Sequence, residues 1–178
     1  LMIVLADIGG TNIRLAVQDE QTPPSGLDAI ESLPGSDFAS VEQALASYCE
    51  RRCIRPQALL LALAADLHGD DVTITNNHWR FQGVSAARVC GASRYMLIND
   101  FCAQALAHAD LLAPDGSPAR TGARQTIRHG TPRPKTPLLV SGPGTGLGVA
   151  AIMPVGDGVA VIEGEGGHVS FAARHADE

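Results

Sequence analysis

Met2–Ala6 is wholly apolar, Ile13–Val17 is apolar but for Arg14, and Ala29–Leu33 keeps three apolar residues of five; bounded by turn residues, these short segments read as three strands. Gly9-Gly10 separates the first pair and the Gln21 to Gly26 loop, with its two prolines, separates the second, so the three strands are expected as a β-meander. From Asp37 a helical spacing sets in. Phe38, Val41, Leu45 and Tyr48 recur at helical spacing behind Ser36 or Asp37 as the cap, and Pro56 ends the helix. Ala58–Ala64 is an unbroken apolar run, expected as a strand covered on both faces, and it completes a β-α-β unit. A turn and strand over Gly69–Thr75 lead to Trp79, a core plug. Ser85 is placed to cap a short helix through Arg88 and Cys90, a strand follows over Tyr95–Ile98, and Phe101–Leu112 reads as an apolar helix.

Pro114–Pro137, rich in Pro, Gly, Arg and Thr, is the sharpest break in composition. It places a small α/β domain over residues 1–112, with a linker and the first part of a second α/β domain over 113–178. Leu138–Ser141 is either a further parallel strand or the first strand of a new sheet. Four glycines within Gly142–Gly148 disfavour helix, and Val149–Met153 and Val159–Ile162 pair across the Gly156-Asp157-Gly158 turn. Two strand–glycine–strand hairpins thus fall in separate halves of the chain.

Composition narrows the functional classes. With 178 residues and 45% hydrophobic content the chain can bury a real core. A formal net charge of −6 and a single lysine, Lys135, argue against a nucleic-acid groove. Arg51, Arg52 and Arg55 cluster where a helix ends, a position that favours cations. Cys49, Cys53, Cys90 and Cys102 lack paired C-x-x-C spacing and are expected as reduced thiols. The apolar opening meets Asp7 far short of a signal-peptide core or a membrane span, which predicts a cytoplasmic protein with no membrane partner.

The chemistry centres on Asp7-Ile8-Gly9-Gly10-Thr11-Asn12. Two residues without Cβ let backbone N–H groups approach an anion, and Thr11 and Asn12 add side-chain donors. Asp7 beside phosphates would be repelled unless a divalent cation or its water shell lay between them, so Mg²⁺ is the implied companion. An ordinary glycine hairpin is the alternative reading of Gly-Gly alone. Gly144, Thr145 and Gly146 repeat the logic as a second phosphate clamp or as a structural turn. No G-x-x-x-x-G-K-[ST] string is present, so the P-loop solution is absent. Asn99 and Asp100 sit where a strand runs into a helix, at the kind of carboxyl end where open α/β sheets gather ligands. There Asp100 is either a general base toward a substrate hydroxyl or a helix cap. Glu165 and His168 flank Gly166-Gly167 and offer hydrogen-bonding groups to a polyol; metal binding and a solvated turn are the alternatives.

Taken together, Asp7–Asn12, Thr75-Asn76 with Trp79, Ile98-Asn99-Asp100-Phe101, Gly142–Gly148 and Gly164–Phe171 resemble the bacterial glucokinase family, in that family's order and approximate spacing. The resemblance implies the actin-like ATPase (ribonuclease H-like) fold, with a small mixed-sheet domain followed by the start of a larger one. It also implies ATP-dependent phosphorylation of glucose at the 6-hydroxyl. Asp100 would be the base, Asn99, Asp100, Glu165 and His168 would bind the hexose, and Ala6 to Asn12 with Gly144 to Gly146 would hold ATP. Asp7 would meet Mg²⁺ through water, and a homodimer is implied. Two departures stand out. Ala64-Ala65-Asp66 replaces the family's usual Gly-Pro or Cys-Pro pair, which loosens sugar specificity and keeps mannose or glucosamine as alternative substrates. The family chain is also much longer, so a further sugar-binding carboxylate and the adenosine pocket are expected beyond Glu178. A sugar-sensing regulator on the same fold is the competing class; this chain shows no basic recognition helix.

Overall fold

A computed structural model describes residues 1–19, 26–65, 67–75, 77–109, 125, 127–131, 133, 135–143, 146–164 and 166. The chain divides into two compact units, Leu1–Asp100 and Phe101–Glu178. The break in composition at residues 114–137 lies inside the second.

The first unit is built on a five-stranded sheet ordered β3-β2-β1-β4-β7. β1 (Met2–Ile8), β2 (Asn12–Asp19) and β3 (Asp28–Pro34) form the expected antiparallel meander, while β4 (Ala58–Leu63) and β7 (Arg94–Asn99) add parallel to β1. Alternation along β1 turns Val4, Ala6 and Ile8 into the core. Along β2 the same face carries Ile13, Leu15 and Val17, paired with Ile8, Ala6 and Val4, and Ala16 is buried as well; an irregularity between Leu15 and Val17 lies in the pairing with β3. β4 meets the sequence expectation in part. Leu59, Leu61 and Leu63 are buried in the core that α1 (Val41–Arg51) and α2 (Gly83–Cys90) share, and on the opposite face Ala62 is buried while Ala58 and Leu60 are only half-buried. That opposite face also carries Met96, 59% exposed. β5 (Asp71–Thr73) and β6 (Arg80–Gln82) pair separately, and Trp79 is buried as expected.

Both helices start differently from the sequence reading. Gly35–Asp37 is a 3-10 turn, so α1 begins later and Ser40 is its cap, its Oγ accepting from Gln43 N at 3.2 Å. Ser85 lies inside α2. That helix is capped from a distant loop by Asp70, whose Oδ2 accepts from Val84 N at 3.3 Å while its Oδ1 accepts from Tyr95 Oη at 2.9 Å. The closure needs glycine at position 83, where a Cβ would lie 2.6 Å from both Asp70 Oδ1 and Tyr95 Cε2. Cys49 of α1 and Cys90 of α2 share a thiol hydrogen bond; that bond and burial push the Cys90 thiol up. The four cysteines are free thiols, with Cys53 exposed.

The arginines at the end of α1 have a more specific role than meeting a helix dipole. Arg51 Nη2 and Arg52 Nε reach Glu31 of β3 at 3.0 and 2.5 Å. Partial desolvation pushes the Glu31 carboxyl up, but hydrogen bonds and charge from the two guanidiniums outweigh it and hold the group below the usual carboxylate range. A depressed carboxylate stabilises the fold above its unfolded pKa and ceases to do so as pH falls through its folded value. Glu31→Gln is therefore expected to lose about 1 kcal/mol at pH 7, a modest cost because the arginines are half exposed. In thermal melts followed by circular dichroism, its gap from the unaltered protein closes below about pH 4.

The second unit contains α3 (Asp100–Ala107), whose body from Phe101 onward belongs to it, and a three-stranded antiparallel sheet. β8 (Leu138–Pro143) is the first strand of this new sheet, followed by β9 (Leu147–Val155) and β10 (Gly158–Gly164). β9 and β10 turn at Gly156-Asp157, with Gly156 in the left-handed region at φ 58°. The Phe101 ring lies across the paired Gly142 and Gly148, and a Cβ on Gly148 would overlap it. Cys102, Ala105, Ala150 and Ile152 are buried. Leu139 and Ile162, which flank Ala151 in one row, remain 67% and 50% exposed.

Candidate active site

The parallel strands end in register. Ile8 pairs with Leu63 and Leu63 with Asn99, so the chain leaves the sheet at Gly9, Ala64 and Asp100 along one carboxyl edge. With adjacent strands about 4.8 Å apart, the β1–β2 turn and the end of β7 are separated by roughly 10 Å. Short bonds stitch this edge together. Ala64 N donates to Ile8 O at 3.1 Å, Thr75 N to Ala64 O at 2.8 Å, and Asn99 Nδ2 to Ala65 O at 3.3 Å. Asn99 and Asp100 are half-buried, and Asp100 is the first residue of α3.

At the other end of the row, Gly9 N donates to Asn12 O at 3.0 Å and closes a tight turn over Gly10-Thr11. The glycines with left-handed backbone among the described residues are Gly69, Gly91 and Gly156, so this turn does not use that freedom of Gly9 and Gly10. A Cβ on Gly9 would meet only Asn12 O, at an ordinary 3.6 Å. Thr11 and Asn12 are exposed, whereas the side chains of Ala6 and Ile8 point into the core and leave only backbone at the edge. The turn is braced from behind. Gly35 N donates to Thr11 O at 2.7 Å and Asn77 Nδ2 to Gly10 O at 3.1 Å. A Cβ on Gly35 would lie 3.1 Å from both Thr11 O and Trp79 Cη2.

Asp7 has a neighbour that the sequence reading missed. Arg14 Nη1 lies 2.8 Å from Asp7 Oδ2, and both side chains are substantially exposed. The hairpin register pairs residue 7 with residue 14 across the turn, a signal present once the two-residue turn is assumed. Gly35 and Asn77 were less accessible, because their contacts cross long sequence separations.

The second glycine loop is framed by the pairs Gly142–Gly148 and Pro143–Leu147. Gly146 stands at its end with open space where a Cβ would be, while Gly144 and Thr145 lie outside the described residues. Glu165 and His168 also lie outside them. Gly166 packs against Val149, where a Cβ would come within 2.7 Å of Cγ2. Among the described residues no cluster of three His, Cys, Asp or Glu is grouped to hold a metal. An open groove of about 500 Å³, lined by Glu42, Asp71, Thr73, Arg80, Phe81 and Ser85, contains none of the predicted site residues.

The glucokinase family model matches residues 4–178. The chain belongs to the glucokinase family. A glucokinase from Marinobacter nauticus is 41% identical over 172 residues, covering 95% of this chain and 50% of the relative. The crystal structure of glucokinase from an Antarctic psychrotroph superposes with a TM-score of 0.76 at 30% identity, covering 98% of this chain and 53% of that one. The glucokinase of Balamuthia mandrillaris, solved in complex with glucose, shares the fold at 21% identity and a TM-score of 0.73, covering 99% and 51%. The chain thus spans about half the length of these glucokinases, and its fold is the actin-like ATPase fold of sugar kinases.

Proposed function

We propose that, in the full-length protein, this chain takes part in ATP-dependent phosphorylation of glucose at the 6-hydroxyl, the entry step of glycolysis. The observation that carries the reading is the common carboxyl edge of β1, β4 and β7. It sets a carboxylate, Asp100, across roughly 10 Å from a turn rich in exposed donors. Membership of the glucokinase family and the glucose complex of the Balamuthia relative support it.

In this reading Asp100 accepts the proton of the 6-hydroxyl as that oxygen attacks phosphorus, and Asn99, Glu165 and His168 orient the sugar. Backbone amides of Gly9 to Asn12, and of Gly144 to Gly146, hold the nucleotide's phosphates and offset charge as it develops. Asp7 fits Mg²⁺ as a single carboxylate at the edge, since this ion keeps several waters and leans on phosphate oxygens for the rest of its shell. When bound, the ion would neutralise phosphate charge. Arg14 must then share or release the Asp7 carboxylate. A cytoplasmic location belongs to the same reading, because ATP is supplied there.

The reading is tested by measuring kcat/KM of the full-length protein with ATP across glucose, mannose and glucosamine. Glucose is expected to lead, and selectivity among epimers reflects which buried polar groups find partners. Hexose binding without turnover would overturn the kinase reading in favour of a sugar sensor.

A further inference from the structure

A trans peptide is planar, so fixing a carbonyl also fixes the following N–H, which points the opposite way. In the β1–β2 turn, two successive carbonyls are held by elements that touch each other. Asn77 Nδ2 holds Gly10 O at 3.1 Å and Gly35 N holds Thr11 O at 2.7 Å. Trp79 joins the two braces: its backbone N donates to Asn77 Oδ1 at 3.3 Å, and its Cη2 packs beside Gly35. No peptide bond is cis among the described residues. The N–H groups of Thr11 and Asn12 are consequently directed away from this brace, the arrangement in which consecutive amides cradle an anion.

We infer that Asn77 is a positioning residue for nucleotide phosphate, holding the Thr11 and Asn12 amides in register without touching the ligand; this rests on the kinase reading above. Both ends of its side-chain amide are used. The oxygen accepts from Trp79 N, which leaves the nitrogen to donate to Gly10 O. Aspartate at this position would keep the first bond and set an acceptor against the Gly10 carbonyl. Gly35 contributes only its backbone, so Asn77 is the brace a substitution can remove.

The test compares Asn77→Ala and Asn77→Asp in the full-length protein, with binding of the non-hydrolysable ATP analogue AMP-PNP measured by calorimetry. Both variants are expected to bind it about tenfold more weakly, with glucose affinity and kcat at saturating ATP changed less than about threefold. Asn77→Asp preserves volume and the Trp79 bond, so it carries the test if the alanine variant does not fold. A purely structural role would lower the melting temperature and the active fraction while leaving the affinity of the folded fraction unchanged. AMP-PNP affinity within twofold of the unaltered protein in Asn77→Asp would overturn the assignment. Failure of the unaltered protein to phosphorylate any hexose would instead overturn the kinase reading itself.

Discussion

Replacing Asp100 with asparagine is expected to lower kcat for glucose phosphorylation by about 10³-fold, within the range that a positioned general base supplies. The substitution is chosen because it separates two readings of one residue. Asp100 opens α3, and asparagine serves a helix N-terminus about as well as aspartate. A carboxamide cannot take a proton from the attacking hydroxyl. If Asp100 acted only as a cap, Asp100→Asn would keep both its melting temperature and its turnover. If it acts as the base, melting temperature and glucose affinity stay near those of the unaltered protein while kcat collapses. Steady-state kinetics with a coupled assay, paired with a thermal melt, read both outcomes from one preparation.

A second large effect is expected in the sheet of the second unit. Gly148 faces Gly142 across the β8–β9 pair, and the Phe101 ring occupies the space where a Cβ at 148 would sit. Gly148→Ala therefore forces the ring, and with it the start of α3, to move. The cost is expected at about 2 kcal/mol, typical of an overpacked site. Gly146→Ala is the control. Nothing lies within 4 Å of the added Cβ there, so stability should stay within about 0.5 kcal/mol of the unaltered protein. Trimming Phe101 to leucine in the Gly148→Ala background should recover part of the loss, and the four-way comparison in urea gives the coupling directly.

These cases show what a linear reading reaches. Short segments rich in apolar residues located β1, β2 and β3, because the glycine turn and the Gln21 to Gly26 loop mark their ends. The β9–β10 pair was legible from the Gly156-Asp157-Gly158 turn, whereas the placement of β8 was open between a parallel strand and the first strand of a new sheet, which the structure decides for the latter. The Asp70 cap of α2 was not legible, since its partner lies 14 residues away and depends on how a loop folds back. Ser40 was missed because Ser36, Asp37 and Ser40 all satisfy the capping rule, and only the 3-10 turn over Gly35–Asp37 decides among them. The proposed site residues Asp7, Gly9, Gly10, Asn99 and Asp100 stand in local strings that can be read one at a time. Their common edge follows from the register Ile8–Leu63–Asn99, which no local string encodes. Gly35 and Asn77 escaped because what they contribute is tertiary: a backbone N–H and a side-chain amide closing on a turn that begins near residue 9.

The chain holds one tryptophan, and its buried indole abuts the glycine that secures Thr11. An optical reporter thereby stands behind the β1–β2 turn. Intrinsic fluorescence of this chain, excited at the indole, is expected to register a shift of that bend when a ligand arrives, with no dye and no engineered residue.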